Sequence, residues 1–249
     1  MELTSVNNNL VKETAKLLQK KYRDKENLFL LEGFKAIEEA FISGIELKEV
    51  FVLKEKADKY AFLKKDLILT TEAVLKKISA ADSAPEAVAV GVQKHFSLND
   101  IKNCKKLVLL ENIRDLGNLG TIIRTATAFK AEGIILFGDC ADLYNPKCVR
   151  STVGNLWKLP IIQIKDINNL KIFEDFQKIA TLPRATVLLK NFKPKEKCLV
   201  MFGSEADGLS DELIRLSTES VKIEMAENVE SLNLSISCGV VLYQLFACN

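Results

Sequence analysis

The chain has 249 residues, 48% hydrophobic and 7% aromatic, with 35 Lys and Arg against 33 Asp and Glu for a net charge of +2. This composition excludes a disordered chain and gives no whole-chain charge that would demand a polyanionic partner, leaving a globular protein of one large or two ordinary domains. Six scattered cysteines without a CxxC pair and a single histidine, His95, argue against a structural metal, and with the start MELTSVNNNL they point to a reduced, cytosolic protein.

In chain order, a basic helix is expected near 6–22, then a strand at NLFLLEG, a helix from Phe34 to Ser43 and the strand KEVFVL. A helix around 57–65, the strand LIL, the helix TEAVLKKIS and the strand AVAVGVQ follow. Such alternation argues for an α/β layer structure. The polar stretch HFSLNDIKN, 95–103, interrupts it and marks a boundary between an N-terminal domain, 1–96, and a second, 104–249.

The alternation then resumes with the strand KLVLL, a helix at 119–130, the strand GIILFG, a helix near 145–154, the strand PIIQI and a helix around 167–178. ATVLL and CLVMF read as strands, a helix starts at Asp211, SVKIEM is a strand, and a helix closes the chain from Leu232 to about Phe246. Short apolar strands between helices imply a mostly parallel sheet covered on both faces. The most apolar segment, GVVLYQLFAC, is about half the ~20 residues that cross a bilayer, so it reads as a core helix and no membrane partner is expected.

Open α/β sheets bind ligands at the carboxyl ends of their strands, and three turns there break local rules. In ENIRDLGNLG, Asn118 can cap the following helix, on which Leu119, Ile122, Ile123, Ala126 and Phe129 form one apolar stripe while Arg124 points away from it. In FGSEADGLS, Glu205 lies in the turn between Gly203 and Gly208, whereas Asp211 and Glu212 fit helix capping and the helix dipole. In NVESLNLSISCG, Ser231 is a credible cap, and Asn233 and Ser235 sit inside the first turns of an otherwise apolar helix, where capping explains Asn233 poorly. No GxGxxG, P-loop or GxSxG pattern is present, which disfavours a dehydrogenase, a P-loop nucleotidase and a triad hydrolase.

NLGTIIRTATAF, FGSEADGLS and IEMAENVESLNLSISCG resemble, in that order, the three motifs of the SpoU/TrmH family of RNA ribose 2'-O-methyltransferases, members of the SPOUT superfamily. YNPKCVRSTVGNLWKLPI is similar to the segment between the first and second motifs, so the likeness covers 105–247, and LFLLEGFKAIEEAF resembles the small α/β/α RNA-binding domain of the ribosomal RNA branch. The resemblance implies a mostly parallel sheet with a C-terminal deep trefoil knot, a homodimer, S-adenosylmethionine as cofactor and RNA, ribosomal rather than transfer RNA, as substrate. A non-catalytic RNA-binding protein on the same fold is the other reading. Carried over by residue, Arg124, Asn118, Glu205, Ser231 and Asn233 form the catalytic set, and Gly203, Ile223 and Leu232, with Met225 beside them, hold the cofactor.

Two departures stand out. Glu224 replaces the proline of the third motif and, by strand alternation, faces away from Ile223 and Met225. Gly239 interrupts the last helix. For RNA, Lys12, Lys16, Lys20, Lys21 and Arg23 make the first helix basic, the first three at four-residue spacing, and Arg150 lies near the motif loops.

Overall fold

The protein, described by a computed structural model over residues 1–229 and 231–248, divides into two compact units. One comprises Met1–Lys94 with Asp142–Trp157, the other His95–Ala141 with Lys158–Asn249.

The first unit runs β1 (Glu2–Leu3), α1 (Asn9–Lys16), α2 (Lys20–Glu26), β2 (Leu28–Glu32), α3 (Phe34–Ile42), β3 (Leu47–Leu53), a 3₁₀ helix (Lys54–Leu63), β4 (Ile68–Thr70), α4 (Glu72–Lys77) and β5 (Ala87–Val92). Its sheet has the order β1-β4-β3-β5-β2, with β5 antiparallel to both neighbours and the rest parallel. The basic helix expected at 6–22 is two helices. Asn8 caps α1 by accepting from the Leu10 amide at 2.8 Å, α1 ends at Lys16, and α2 stops at Asn27, which adopts the left-handed conformation (φ 55°). Lys20 is therefore on a different helix from Lys12 and Lys16, and the shared face expected for the three is not formed.

The chain continues as α5 (Leu98–Ile101), β6 (Lys106–Glu111), α6 (Leu116–Ala128) and β7 (Gly133–Phe137), then contributes α7 (Pro146–Ser151) to the first unit. The segment 142–157, assigned by pattern to the second domain, packs instead in the first unit, for identifiable reasons. Asp142 pairs with the buried Arg23, the Tyr144 hydroxyl donates to the Lys94 carbonyl at 2.6 Å and accepts its amide at 2.8 Å, and the Trp157 ring lies 5.3 Å from Phe29.

The second unit resumes with β8 (Ile161–Ile164), a 3₁₀ helix (Ile167–Phe173), β9 (Gln177–Thr181), β10 (Val187–Leu188), β11 (Cys198–Phe202), α8 (Asp211–Leu216), β12 (Glu219–Lys222) and α9 (Leu234–Leu242), which widens into a π-helical turn over Tyr243–Ala247. Seven strands form one parallel sheet in the order β10-β12-β9-β11-β6-β7-β8. The helix expected over 167–178 ends at Phe173, and Gln177–Thr181 is a strand that its lysine conceals. Lys178 is only 7% exposed; its Nζ donates to the Phe173 carbonyl at 2.7 Å, and burial pushes its pKa down.

The six cysteines are all free thiols. Burial raises the Cys148 thiol to about 12, Cys198 to about 11, and Cys238 well above its ordinary value, while Cys248 is exposed. A thiol reagent at pH 8 is expected to react first at Cys248, with Cys148, Cys198 and Cys238 reacting only on unfolding; mass-spectrometric mapping of the labelled cysteine checks the order.

Candidate active site

The parallel register of β6 and β11 pairs Leu110 with Phe202, so Glu111 and Gly203 leave the sheet side by side at its carboxyl edge. The two loops that follow therefore meet although about ninety residues separate them. At Gly203 a Cβ would sit 1.9 Å from the Gly208 carbonyl carbon, so only glycine lets the turn fold back on itself and close the Ser204–Gly208 bridge. The Ser210 amide donates to the buried Glu111 carboxylate at 2.7 Å, fixing where α8 starts, and the Ser210 hydroxyl caps that helix, with Asp211 and Glu212 in its first turn.

Glu205 is held at the centre of a polar cluster. Its Oε1 accepts from Asn118 Nδ2 at 3.0 Å, from Asn233 Nδ2 at 3.0 Å and from the Leu234 amide at 3.3 Å. Asn233 Nδ2 also donates to Asn118 Oδ1 at 3.2 Å. Three segments are thus joined by side chains whose local duties are otherwise accounted for. The cap of α6 is Asp115, which accepts from the Asn118 amide at 2.7 Å; Asn118 is not the cap, and its carboxamide is released toward Glu205. The cap of α9 is Asn233, whose Oδ1 accepts from the Ser235 amide and hydroxyl at 3.0 and 2.6 Å, rather than Ser231. Asn233 does double duty, its oxygen capping and its nitrogen donating to Glu205.

Behind the cluster lies a cavity of about 450 Å³, within the range of small-molecule sites. Gly203, Glu205, Ile223, Met225, Ser231 and Leu232 all line it. Glu224 points elsewhere, to Lys190, as expected, although the strand read as SVKIEM ends at Lys222 and Ile223–Met225 follow it as irregular chain. Thr181, the last residue of β9, and the Leu182–Arg184 stretch after it also line the cavity, a contribution concealed with the strand itself.

Arg124 stands apart from this arrangement. It lies on the exposed side of α6, opposite the buried Leu119, Ile122, Ile123 and Ala126, and its guanidinium makes no ion pair among the described residues. Six residues separate it from Asn118, roughly 9 Å along the axis and about 120° around it. Beside it, α6 packs on α9: Phe129 and Tyr243 stand edge to face at 5.5 Å, and a Cβ on Gly239 would lie 3.7 Å from the Thr125 methyl, an ordinary contact.

The expected RNA contacts fare unevenly. Arg23 is 1% exposed and donates to the Leu17 carbonyl at 2.8 Å as well as pairing with Asp142, so it is a buried structural residue and not a surface contact. Arg150 belongs to the first unit, where Nη1 donates to the buried Glu32 carboxylate at 2.7 Å. Lys16 pairs with Glu13 and Lys20 with Asp24, while Lys12 and Lys21 are exposed.

The SpoU rRNA methylase family model matches residues 105–243, more than half of the chain. The chain belongs to this family. A second model, the MRM3-like substrate binding domain, matches residues 8–89. An uncharacterised tRNA/rRNA methyltransferase of Synechocystis sp. is 35% identical, the match covering 97% of this chain and 92% of the relative. The 23S rRNA (guanosine(2553)-2'-O)-methyltransferase RlmP of Bacillus subtilis is 27% identical over 98% of both. Among solved structures, the AdoMet-bound rRNA methyltransferase from Sinorhizobium meliloti superposes with a TM-score of 0.88 at 31% identity, covering 98% of this chain and 96% of that one. AviRb from Streptomyces viridochromogenes in complex with AdoMet gives 0.85 at 25% identity, covering 96% and 97%. As a SpoU-family member the protein is a methyltransferase, and its large parallel sheet is that of its SPOUT neighbours.

Proposed function

We propose that this protein transfers a methyl group from S-adenosylmethionine to a ribose 2'-hydroxyl of ribosomal RNA. The observation that carries the reading is the Asn118–Glu205–Asn233 cluster at the cavity, which joins three loops by direct hydrogen bonds. Two relatives, the Bacillus subtilis enzyme and a Streptomyces laurentii 23S rRNA (adenosine(1067)-2'-O)-methyltransferase, favour ribosomal RNA.

The cavity fits the cofactor: Gly203 brings main chain to its wall, and Ile223, Met225 and Leu232 give it apolar sides suited to an adenosine. S-adenosylmethionine supplies an electrophilic methyl when bound. Glu205 and the two asparagines order the loops around the transfer site, and Ser231 lines it. A guanidinium donates hydrogen bonds and does not act as a base, so Arg124 serves as a cation for the reacting ribose, binding an adjacent phosphate or stabilising the developing alkoxide while the proton passes to phosphate or water.

Arg124 does not line the cavity of its own chain, and a second copy supports its role. Ile236 and Val240 on α9 and Tyr243 in the turn that extends it are 56%, 41% and 54% exposed at spacings of four and three, a stripe on the helix packed against α6 that suits self-association. The homodimer and the deep trefoil knot belong to this proposal; the return of β12 between β10 and β9 supports the knot.

The test is transfer of labelled methyl from S-adenosylmethionine to ribosomal RNA lacking the modification, with wild type and Arg124→Ala. Wild type is expected to label a ribose, and the variant to lose about 10²-fold or more in rate with cofactor affinity unchanged by calorimetry. An inactive wild type, or an Arg124→Ala protein of undiminished rate, defeats the reading.

A further inference from the structure

The first unit carries a basic groove between α1 and α4 that the catalytic reading does not use. Two depressions, of about 480 and 340 Å³, share Lys12 and Lys77 in their walls. Lys76 borders one and Lys16 the other, so four lysines from helices some sixty residues apart in sequence converge on one surface feature. Only Lys12 and Lys16 belong to the basic N-terminal run; the other wall is the last turn of α4.

Two of these side chains are committed and two are not. Lys16 is tied to Glu13 at 2.7 Å, and Lys76 donates to the carbonyls of Ala81, at 2.7 Å, and Asp82. Lys12 and Lys77 make no ion pair or hydrogen bond among the described residues. Lysines in the last turn of a helix satisfy the helix dipole, which accounts for Lys16, Lys76 and Lys77 one helix at a time. It does not account for Lys12, in the middle of α1, facing Lys77 across the groove. The basic surface continues past Lys16: its ammonium and that of Lys21 each lie 5.7 Å from the centre of the Tyr22 ring.

We propose that the α1–α4 groove holds the sugar–phosphate backbone of the RNA substrate, with Lys12 and Lys77 each meeting a phosphate; the inference rests on the methyltransferase reading above. The lining selects this occupant. Asn7, Gln19 and small or aliphatic side chains supply the remaining surface; among the described residues no aromatic ring on which a base could stack and no carboxylate that would repel a polyanion lines the groove. Point-charge ammonium groups around a concave surface track a backbone without reading sequence. The groove therefore positions RNA, and the choice of nucleotide is made elsewhere.

The experiment uses the full chain and an unmodified 23S ribosomal RNA transcript, with Kd measured against salt concentration for wild type, K12A/K77A, K12R/K77R and the control K102A/K171A, whose lysines are exposed on the second unit. Loss of two phosphate contacts is expected to reduce the slope of log affinity against log salt by about 2 and to weaken binding at 0.15 M salt about tenfold or more. K12R/K77R is expected to keep the wild-type slope, the control to match wild type, and all four proteins to bind S-adenosylmethionine equally. If wild type binds and methylates the transcript while K12A/K77A is indistinguishable from it, or the control loses as much, the groove proposal falls and the methyltransferase reading stands. If wild type neither binds nor methylates RNA, or the groove lysines govern binding to anionic vesicles instead, the proposal falls with the RNA reading.

Discussion

Replacing Glu205 by alanine is expected to lower the rate of methyl transfer about 10²-fold while leaving thermal stability nearly unchanged. One carboxylate oxygen accepts from Asn118, Asn233 and the Leu234 amide, so its removal releases all three donors at once. Glu205 and Asn233 are exposed and Asn118 is half-buried, so water can take over most of the lost bonds, which limits the stability cost to roughly 1 kcal/mol. The kinetic cost is larger because the same oxygen sets the distance between the loops after β6 and β11 and the start of α9, and misplacement of about 1 Å is enough to cost ~10²-fold. Glu205→Gln, which keeps an acceptor oxygen but loses the charge at the α9 N-terminus, is expected to fall between wild type and alanine. Single-turnover methylation at saturating cofactor, paired with a melting curve, separates the two effects. A variant that unfolds well below wild type yet keeps its rate per folded molecule would assign Glu205 to folding instead.

The same cluster shows what is legible in this sequence and what is not. Short continuous apolar runs locate the strands KLVLL and CLVMF, and the glycines and acids after them mark both loops, because those signals are local. Which strands become neighbours is a tertiary fact: β11 lies between β6 and β9, with β12 beyond β9, and no periodicity encodes that order. Caps are legible as residue types and not as positions. Asp115 and Asn118 are both competent caps three residues apart, as are Ser231 and Asn233 two apart, and in each case the three-dimensional partner decides which one is used.

Charge misleads in the opposite direction. Lys178 in β9 and Arg23 in α2 carry charges that suggest a solvent-facing side chain, and both are buried because the fold turns a partner toward them, the Phe173 carbonyl five residues back for Lys178 and the remote Asp142 carboxylate for Arg23. A single sequence carries no sign of such partners, since burial of a charge depends on where its counter-group arrives. Arg124 is the converse case: helical periodicity alone places it on the exposed face, where the structure has it.

Asp142→Ala is expected to destabilise the protein by about 3 kcal/mol, the largest stability effect of any single substitution considered, because it strands a charge. Arg23 is 1% exposed, its Nε has no partner, and Asp142 supplies the only carboxylate paired with it among the described residues. Without that carboxylate the guanidinium keeps its bond to the Leu17 carbonyl and little else. The cost comes from the residue left behind, so removing the arginine as well should recover most of it: Arg23→Met/Asp142→Ala is expected within about 1.5 kcal/mol of wild type, since an unbranched apolar side chain fills much of the guanidinium's stem volume. Asp142→Asn, which keeps an acceptor and loses the charge, should lie between the single alanine variant and wild type. Urea unfolding of wild type, Arg23→Met, Asp142→Ala and the double variant forms a double-mutant cycle that reads the coupling directly. A coupling near zero would mean that the segment 142–157 is held in the first unit by Tyr144, Arg150 and Trp157 alone, and that the buried pair records where the chain packs without determining it.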